Sequence, residues 1–133
     1  MTEGHDELTA EFWRAAERHE LVRPVCDRCR RSFFTPQVVC PSCRSEEWHY
    51  ALSDGVGVIY SYTIVHRAPD PRFTPPYVLA IVELVNEGWH LLTNIVDVPH
   101  AEVRLDMAVV PRWVTWEDRT LPAFTRVASR SEY

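Results

Sequence analysis

From residue 50 onward, apolar and polar positions alternate in short runs separated by turn-forming residues. In "GVGVIYSYTIVHR", Val56, Val58, Tyr60, Tyr62 and Ile64 fall on one face, and Ser61 and Thr63 on the other. A period of two, carried by β-branched and aromatic side chains, predicts a strand. "APDPRFTPP" follows, with Pro69, Pro71, Pro75 and Pro76. Proline fixes φ and lacks an N–H, so this stretch predicts a stiff extended loop outside any ladder. "YVLAIVELV" predicts a second strand, Asn86-Glu87-Gly88 a hairpin turn, and "WHLLTNIVDV" a third strand. "VRLDMAVVPRWVTWED" predicts a fourth, with Pro111 marking an edge or a bulge, and "LPAFTRVA" a short fifth. Five closely spaced strands without helical breaks predict a small barrel, closed or nearly so, of the five-stranded OB type. A sandwich would want about seven.

Upstream the pattern differs. In "LTAEFWRAAERHEL", Leu8, Phe12, Trp13 and Ala16 share one face of a short predicted helix, with Thr9 as N-cap and Glu11 in the first turn. Residues 24–47 show no period and are organised by cysteines. The expected division is a helical segment at 1–22, a zinc ribbon at 23–48 and an OB-fold barrel at 49–133, giving a mainly β chain. A chain of 133 residues is one domain, or one with a small appendage, and can bury a real core. No apolar run approaches the roughly 20 residues that cross a bilayer. The start, "MTEGHDELTAEFW", is acidic and lacks the features of a signal peptide. The expected compartment is the cytoplasm, where paired cysteines hold a metal more often than a disulfide.

All the cysteines lie in Cys26-x-x-Cys29 and Cys40-x-x-Cys43, with ten residues between the pairs. Each pair predicts a tight knuckle, and two knuckles bring four thiolates onto one tetrahedral ion. Cys26, Cys29, Cys40 and Cys43 are therefore the expected ligands of a structural zinc; iron fits an equivalent geometry. A thioredoxin-like redox pair sits at a helix start and does not come twice. Charge singles out the same segment. Residues 21–45 carry five arginines against Asp27 alone, whereas residues 46–133 carry twelve acids against seven arginines. Phe33 and Phe34 stand between the knuckles, close to Arg28, Arg30 and Arg31. Rings stack on a base and guanidinium forks grip phosphate, so the module suits a nucleotide. The plainer alternative packs the phenylalanines on the barrel and leaves the arginines solvated. The acidic barrel argues against a long nucleic-acid strand, whose binding draws on counterion release along a basic stripe.

Candidates for catalysis are weak. The chain has no lysine for amine chemistry. Its six histidines show no metal-ligand spacing, and His66 and His90 read as packed or surface strand residues. Glu46-Glu47 and Glu117-Asp118 are sequence neighbours, which point to opposite faces of a strand. No nucleophile elbow or Gly-rich phosphate loop is present. The residues describe a binding or scaffolding module, with no catalytic residue assigned.

The order of motifs is specific: an "FW" helix, Cys-x-x-Cys, "CPSC", a tryptophan, "DGVGVIYSYTIVHR", "PPYVLAIVELVNEG" and "VVPRW". It resembles the rubredoxin-like zinc-ribbon plus OB-fold family catalogued as domain of unknown function thirty-five, across roughly residues 9–127. The family usually has glycine where this chain has Arg30. The resemblance implies a small non-catalytic partner of thiolase-like proteins: thiolases, synthases, acyltransferases, or the lipid-transfer-protein-like aldolases that shorten steroid side chains. Such a partner binds the acyl-CoA, and the assembly expected here is a hetero-oligomer with two copies of each chain. On that reading Arg28, Arg30, Arg31 and Phe34 take the nucleotide end of coenzyme A, and Phe73 and Tyr77 line the arm and acyl group. The alternative is a zinc-ribbon and OB module for single-stranded nucleic acid.

Overall fold

The computed structural model describes residues 6–71 and 73–127. His5 and residue 128 of the last predicted strand lie outside them. A helix, α1 (Asp6–Glu17), precedes seven strands: β1 (Val22–Cys26), β2 (Trp48–Leu52), β3 (Gly57–Val65), β4 (Tyr77–Leu84), β5 (Trp89–Ile95), β6 (Ala108–Trp116) and β7 (Arg119–Arg126). The class is as expected: mainly β, with one N-terminal helix, a cysteine-bearing ribbon and a closed five-stranded barrel. No helix among the described residues is long and apolar enough to cross a membrane.

The helix starts earlier than its predicted cap. Thr9 lies inside α1, which begins at Asp6. His19, at a φ of 62°, turns the chain out of the helix. Phe12, Ala15 and Ala16 are the buried stripe, and α1 packs on β7 and β1. Tyr50 ties the helix to the ribbon by donating to the Leu8 carbonyl at 2.7 Å. Burial against that contact pushes the Tyr50 phenol up to about 12.

The barrel runs β3-β4-β5-β7-β6 and closes where β3 meets β6. Gly57 sits at the closure, opposite Leu84 on one side and Val109 on the other. A Cβ there would lie 2.6 Å from Val82 Cγ1, so the strands approach this closely only around glycine. The inward residues of β4 and β5 alternate as the period predicts, and Ile59, Val82, Leu84 and Phe124 are fully buried at the centre.

One predicted face needs correction. The ladder slips between Ile59 and Ser61, leaving Tyr60 as a bulge. Before the bulge Gly57 and Ile59 point inward; after it Tyr62 and Ile64 stand opposite the buried Ala80 and Val78. Val56, Val58 and Tyr60 thus belong to the outer face, because one extra residue reverses the parity of everything that follows.

The ribbon has two strands of its own, β1 and β2, paired antiparallel from Val22↔Leu52 to Cys26↔Trp48. It is bolted to the barrel by the β4–β5 hairpin turn. Glu87 accepts from Ser53 Oγ (2.7 Å), Trp89 Nε1 (2.8 Å) and the Asp54 N–H (2.8 Å), and pairs with Arg23 at 3.8 Å. Arg23 also reaches Ser32 Oγ at 3.1 Å and the Leu52 carbonyl. Asp54 adds to the joint: the Asn86 amide and the Val56 N–H hold its carboxyl below the ordinary value of 3.8. A depressed carboxyl contributes stability above its unfolded pKa and loses it as pH falls through the folded one. The stability advantage of the native chain over Asp54→Asn is therefore expected to be complete at about pH 6 and to shrink below about pH 4, as read by urea unfolding at each pH.

Candidate functional site

Two pseudo-symmetric knuckles form the centre of the ribbon. In the first, the Arg30 N–H donates to the Cys26 carbonyl at 3.0 Å; in the second, the Arg44 N–H donates to the Cys40 carbonyl at 2.8 Å. Arg30 and Arg44 occupy matching positions, with φ of 70° and 68°. This is the left-handed region that glycine enters freely, which explains why an arginine after the second cysteine stands out.

The four sulfurs lie within 4.8 Å of one another, with Cys26–Cys43 at 3.5 Å and Cys29–Cys40 at 3.7 Å. Tetrahedral zinc with bonds near 2.3 Å spaces its sulfurs by about 3.8 Å, so the donor set fits. Backbone donors are already in place. Cys26 Sγ accepts from the Arg28 and Cys29 N–H groups at 3.3 and 3.4 Å, and Cys40 Sγ from Ser42 at 3.4 Å. The Cys29 N–H, helped by that of Arg28, holds Cys26 down to about 6 despite burial. Burial opposes ionisation of Cys40, but the Cys43 and Ser42 N–H groups outweigh it and its pKa falls. Cys29 goes the other way. The Arg31 N–H favours its thiolate, yet burial and the three crowded sulfurs push it up to about 11. Four thiolates cannot gather at this spacing without a cation among them.

Arg28, Arg30 and Arg31 are all exposed. Arg28 and Arg44 border a polar hollow of about 500 Å³ together with Asp27, Ser45, Glu46 and Glu47, so the basic surface is interleaved with acids. The phenylalanines pack inward. Phe33 is buried edge-on to Trp48 at 5.6 Å. Phe34 lies against Phe12 at 5.3 Å and Trp89 at 5.4 Å, where helix, ribbon and barrel meet. The arginines are thus the exposed part of the expected nucleotide set, and Phe34 belongs to the joint.

Phe73 and Tyr77 do come together. Their rings are 6.1 Å apart, and Phe73 stacks on Trp116 at 5.3 Å, with 13° between planes. With Leu79, Val96, Val114 and Leu121 they line an open, largely apolar groove of about 610 Å³. Trp116 is the residue that sequence reasoning missed. Its signal was the second tryptophan of "RWVTW", at the end of the fourth predicted strand.

Two family models cover most of the chain. Residues 13–49 match the rubredoxin-like zinc ribbon domain of ChsH2, and residues 50–114 match the ChsH2 C-terminal OB-fold domain. A DUF35 domain-containing scaffold protein of Methanocaldococcus jannaschii is 36% identical over 107 residues, spanning 78% of this chain and 75% of the relative. The chain belongs to the DUF35 family. Its four cysteines lie within the stretch that matches a rubredoxin-like zinc ribbon, and their sulfurs are grouped as a metal site requires. A solved structure described as "Ltp2-ChsH2(DUF35) aldolase" contains a chain 35% identical to this one, with a TM-score of 0.81, over 89% of this chain and 93% of the other. A probable enoyl-CoA hydratase alpha subunit of Thermomonospora curvata is 37% identical over 91% of this chain. This DUF35 chain spans only 38% of that relative's length.

Proposed function

We propose that this chain is a non-catalytic accessory subunit that binds acyl-CoA beside a thiolase-like partner. The favoured partner is a lipid-transfer-protein-type aldolase performing retro-aldol cleavage of a bulky acyl-CoA, such as one with a steroid side chain. A thiolase or acyltransferase is the other choice, and the assembly contains two copies of each chain. The observation that carries the reading is the near-full-length, 35%-identical chain solved as part of an aldolase. The site supports it chemically. Arg28, Arg30 and Arg31 are free of the packing that engages Phe33 and Phe34, and guanidinium forks suit the phosphates of a nucleotide. The Phe73–Tyr77–Trp116 groove is apolar enough for a thioester arm and acyl group. Zinc holds the ribbon that displays the arginines.

The test is calorimetric titration of the metal-loaded chain, with and without its partner, using octanoyl-CoA. Replacing Arg28, Arg30 and Arg31 together by alanine is expected to weaken binding about tenfold or more, each lost charge-assisted phosphate contact being worth on the order of 1 kcal/mol. Phe73→Ala is expected to weaken octanoyl-CoA binding more than binding of free coenzyme A. Salt-sensitive binding of an oligonucleotide, with no response to acyl-CoA, would instead support the nucleic-acid alternative.

A further inference from the structure

Apart from Glu83 at its end, the strand β4 is apolar on both faces. Val78, Ala80, Val82 and Leu84 fill the barrel, yet Tyr77, Leu79 and Ile81 point outward on the same strand. A near-continuous apolar run of this kind belongs to a strand covered on both sides. The described chain covers only one. Ile81 pairs with Leu92 of β5, and the bulged Tyr60 lies tilted over His90 at 4.7 Å. This surface stays open: Leu92 is 65% and Tyr60 57% exposed. Contiguous exposed apolar side chains on a sheet face mark an interaction site.

We infer that the outer face of β3–β5, centred on Tyr60, Ile81 and Leu92, is where the partner subunit docks. This rests on the reading of the chain as an accessory subunit. Three observations favour a different protein over a second copy. The chain carries a net charge of −5, with the acids weighted toward the barrel, so two copies repel whereas a partner with a basic rim is attracted. The face runs through Leu79 into the Phe73–Tyr77–Trp116 groove, since Leu79 lines that groove. A protein seated on it therefore borders the proposed acyl site, and a second copy would bring only the same surface, without a catalytic constellation among its described residues. Finally, a 35%-identical chain is solved in a structure described as an Ltp2-ChsH2(DUF35) aldolase.

The experiment measures affinity between the metal-loaded chain and the thiolase-like subunit from the same source, by sedimentation and calorimetry. Leu92→Arg and Tyr60→Ser are compared with Val38→Arg, a change on the ribbon at a residue 68% exposed. Leu92→Arg and Tyr60→Ser are each expected to weaken association about tenfold or more, as losses at a contact centre do, while Val38→Arg leaves it unchanged. Metal content and thermal unfolding identify a misfolded variant, and either face variant suffices. Native affinity in both face variants overturns the proposal. A native chain that binds no partner overturns the subunit reading beneath it. A homodimer dissociated by Leu92→Arg assigns the face to a second copy and overturns the choice of occupant.

Discussion

Chelation of the metal, or Cys40→Ser, is expected to unfold the ribbon. Cys40 is fully buried, and little besides Cys26 and Phe33 shares its core. Twenty-odd residues with so small an apolar cluster cannot offset their own ordering entropy. The metal supplies the difference, on the order of 10 kcal/mol in comparable small zinc modules. The barrel has a separate core around Ile59, Val82 and Phe124 and is expected to persist, loosened where Phe34 packs on Phe12 and Trp89. Metal analysis should give one ion per chain. Circular dichroism and the indole signal of Trp48 should report the loss of the ribbon, while signals from the barrel core remain. Retention of the native ribbon in the metal-free chain would remove the structural role of the centre.

Glu87→Ala is expected to be the most damaging change outside the cysteines. The carboxylate is 9% exposed and its Arg23 partner 14%. Removing Glu87 leaves a guanidinium enclosed without its counter-charge and orphans donors on Ser53, Asp54 and Trp89. Breaking an enclosed pair from one side costs about 3–5 kcal/mol. Removing both partners is expected to cost less than the sum of the single changes, so Arg23→Leu should recover part of the loss in a double-mutant cycle by urea unfolding. Strict additivity of the two changes would show that Glu87 acts alone.

The barrel was legible because its strands alternate and its turns are punctuated by Asn86-Glu87-Gly88 and the proline loop. The convergence of the four cysteines was legible from their spacing alone. Other features were not, each for a physical reason. The bulge at Tyr60 leaves no local mark, because parity is set by the partner strand. The ribbon strands β1 and β2 were not read: "VRPVC" contains a proline and no clear period, and their pairing is imposed by the knuckles on either side. Phe34 was read as a stacking surface because one ring beside arginines reads the same whether it meets a base or a core; only tertiary packing on Phe12 and Trp89 separates the two. Glu87 looked like an ordinary turn residue, and its ion pair with Arg23 spans 64 positions of sequence. The structure brings Phe73 and Tyr77 together, and Trp116 joins them from β6, a strand far from them in sequence.

The central claim is that this chain supplies acyl-CoA binding and carbon–carbon chemistry comes from its partner. The most direct measurement titrates the chain into a fixed amount of the thiolase-like subunit while following cleavage of a bulky acyl-CoA. The account predicts that the rate rises linearly to a plateau at one chain per partner, and that the Arg28, Arg30 and Arg31 triple variant raises the Michaelis constant at an unchanged stoichiometry. A partner that is fully active alone, with a rate and Michaelis constant indifferent to this chain, would contradict it.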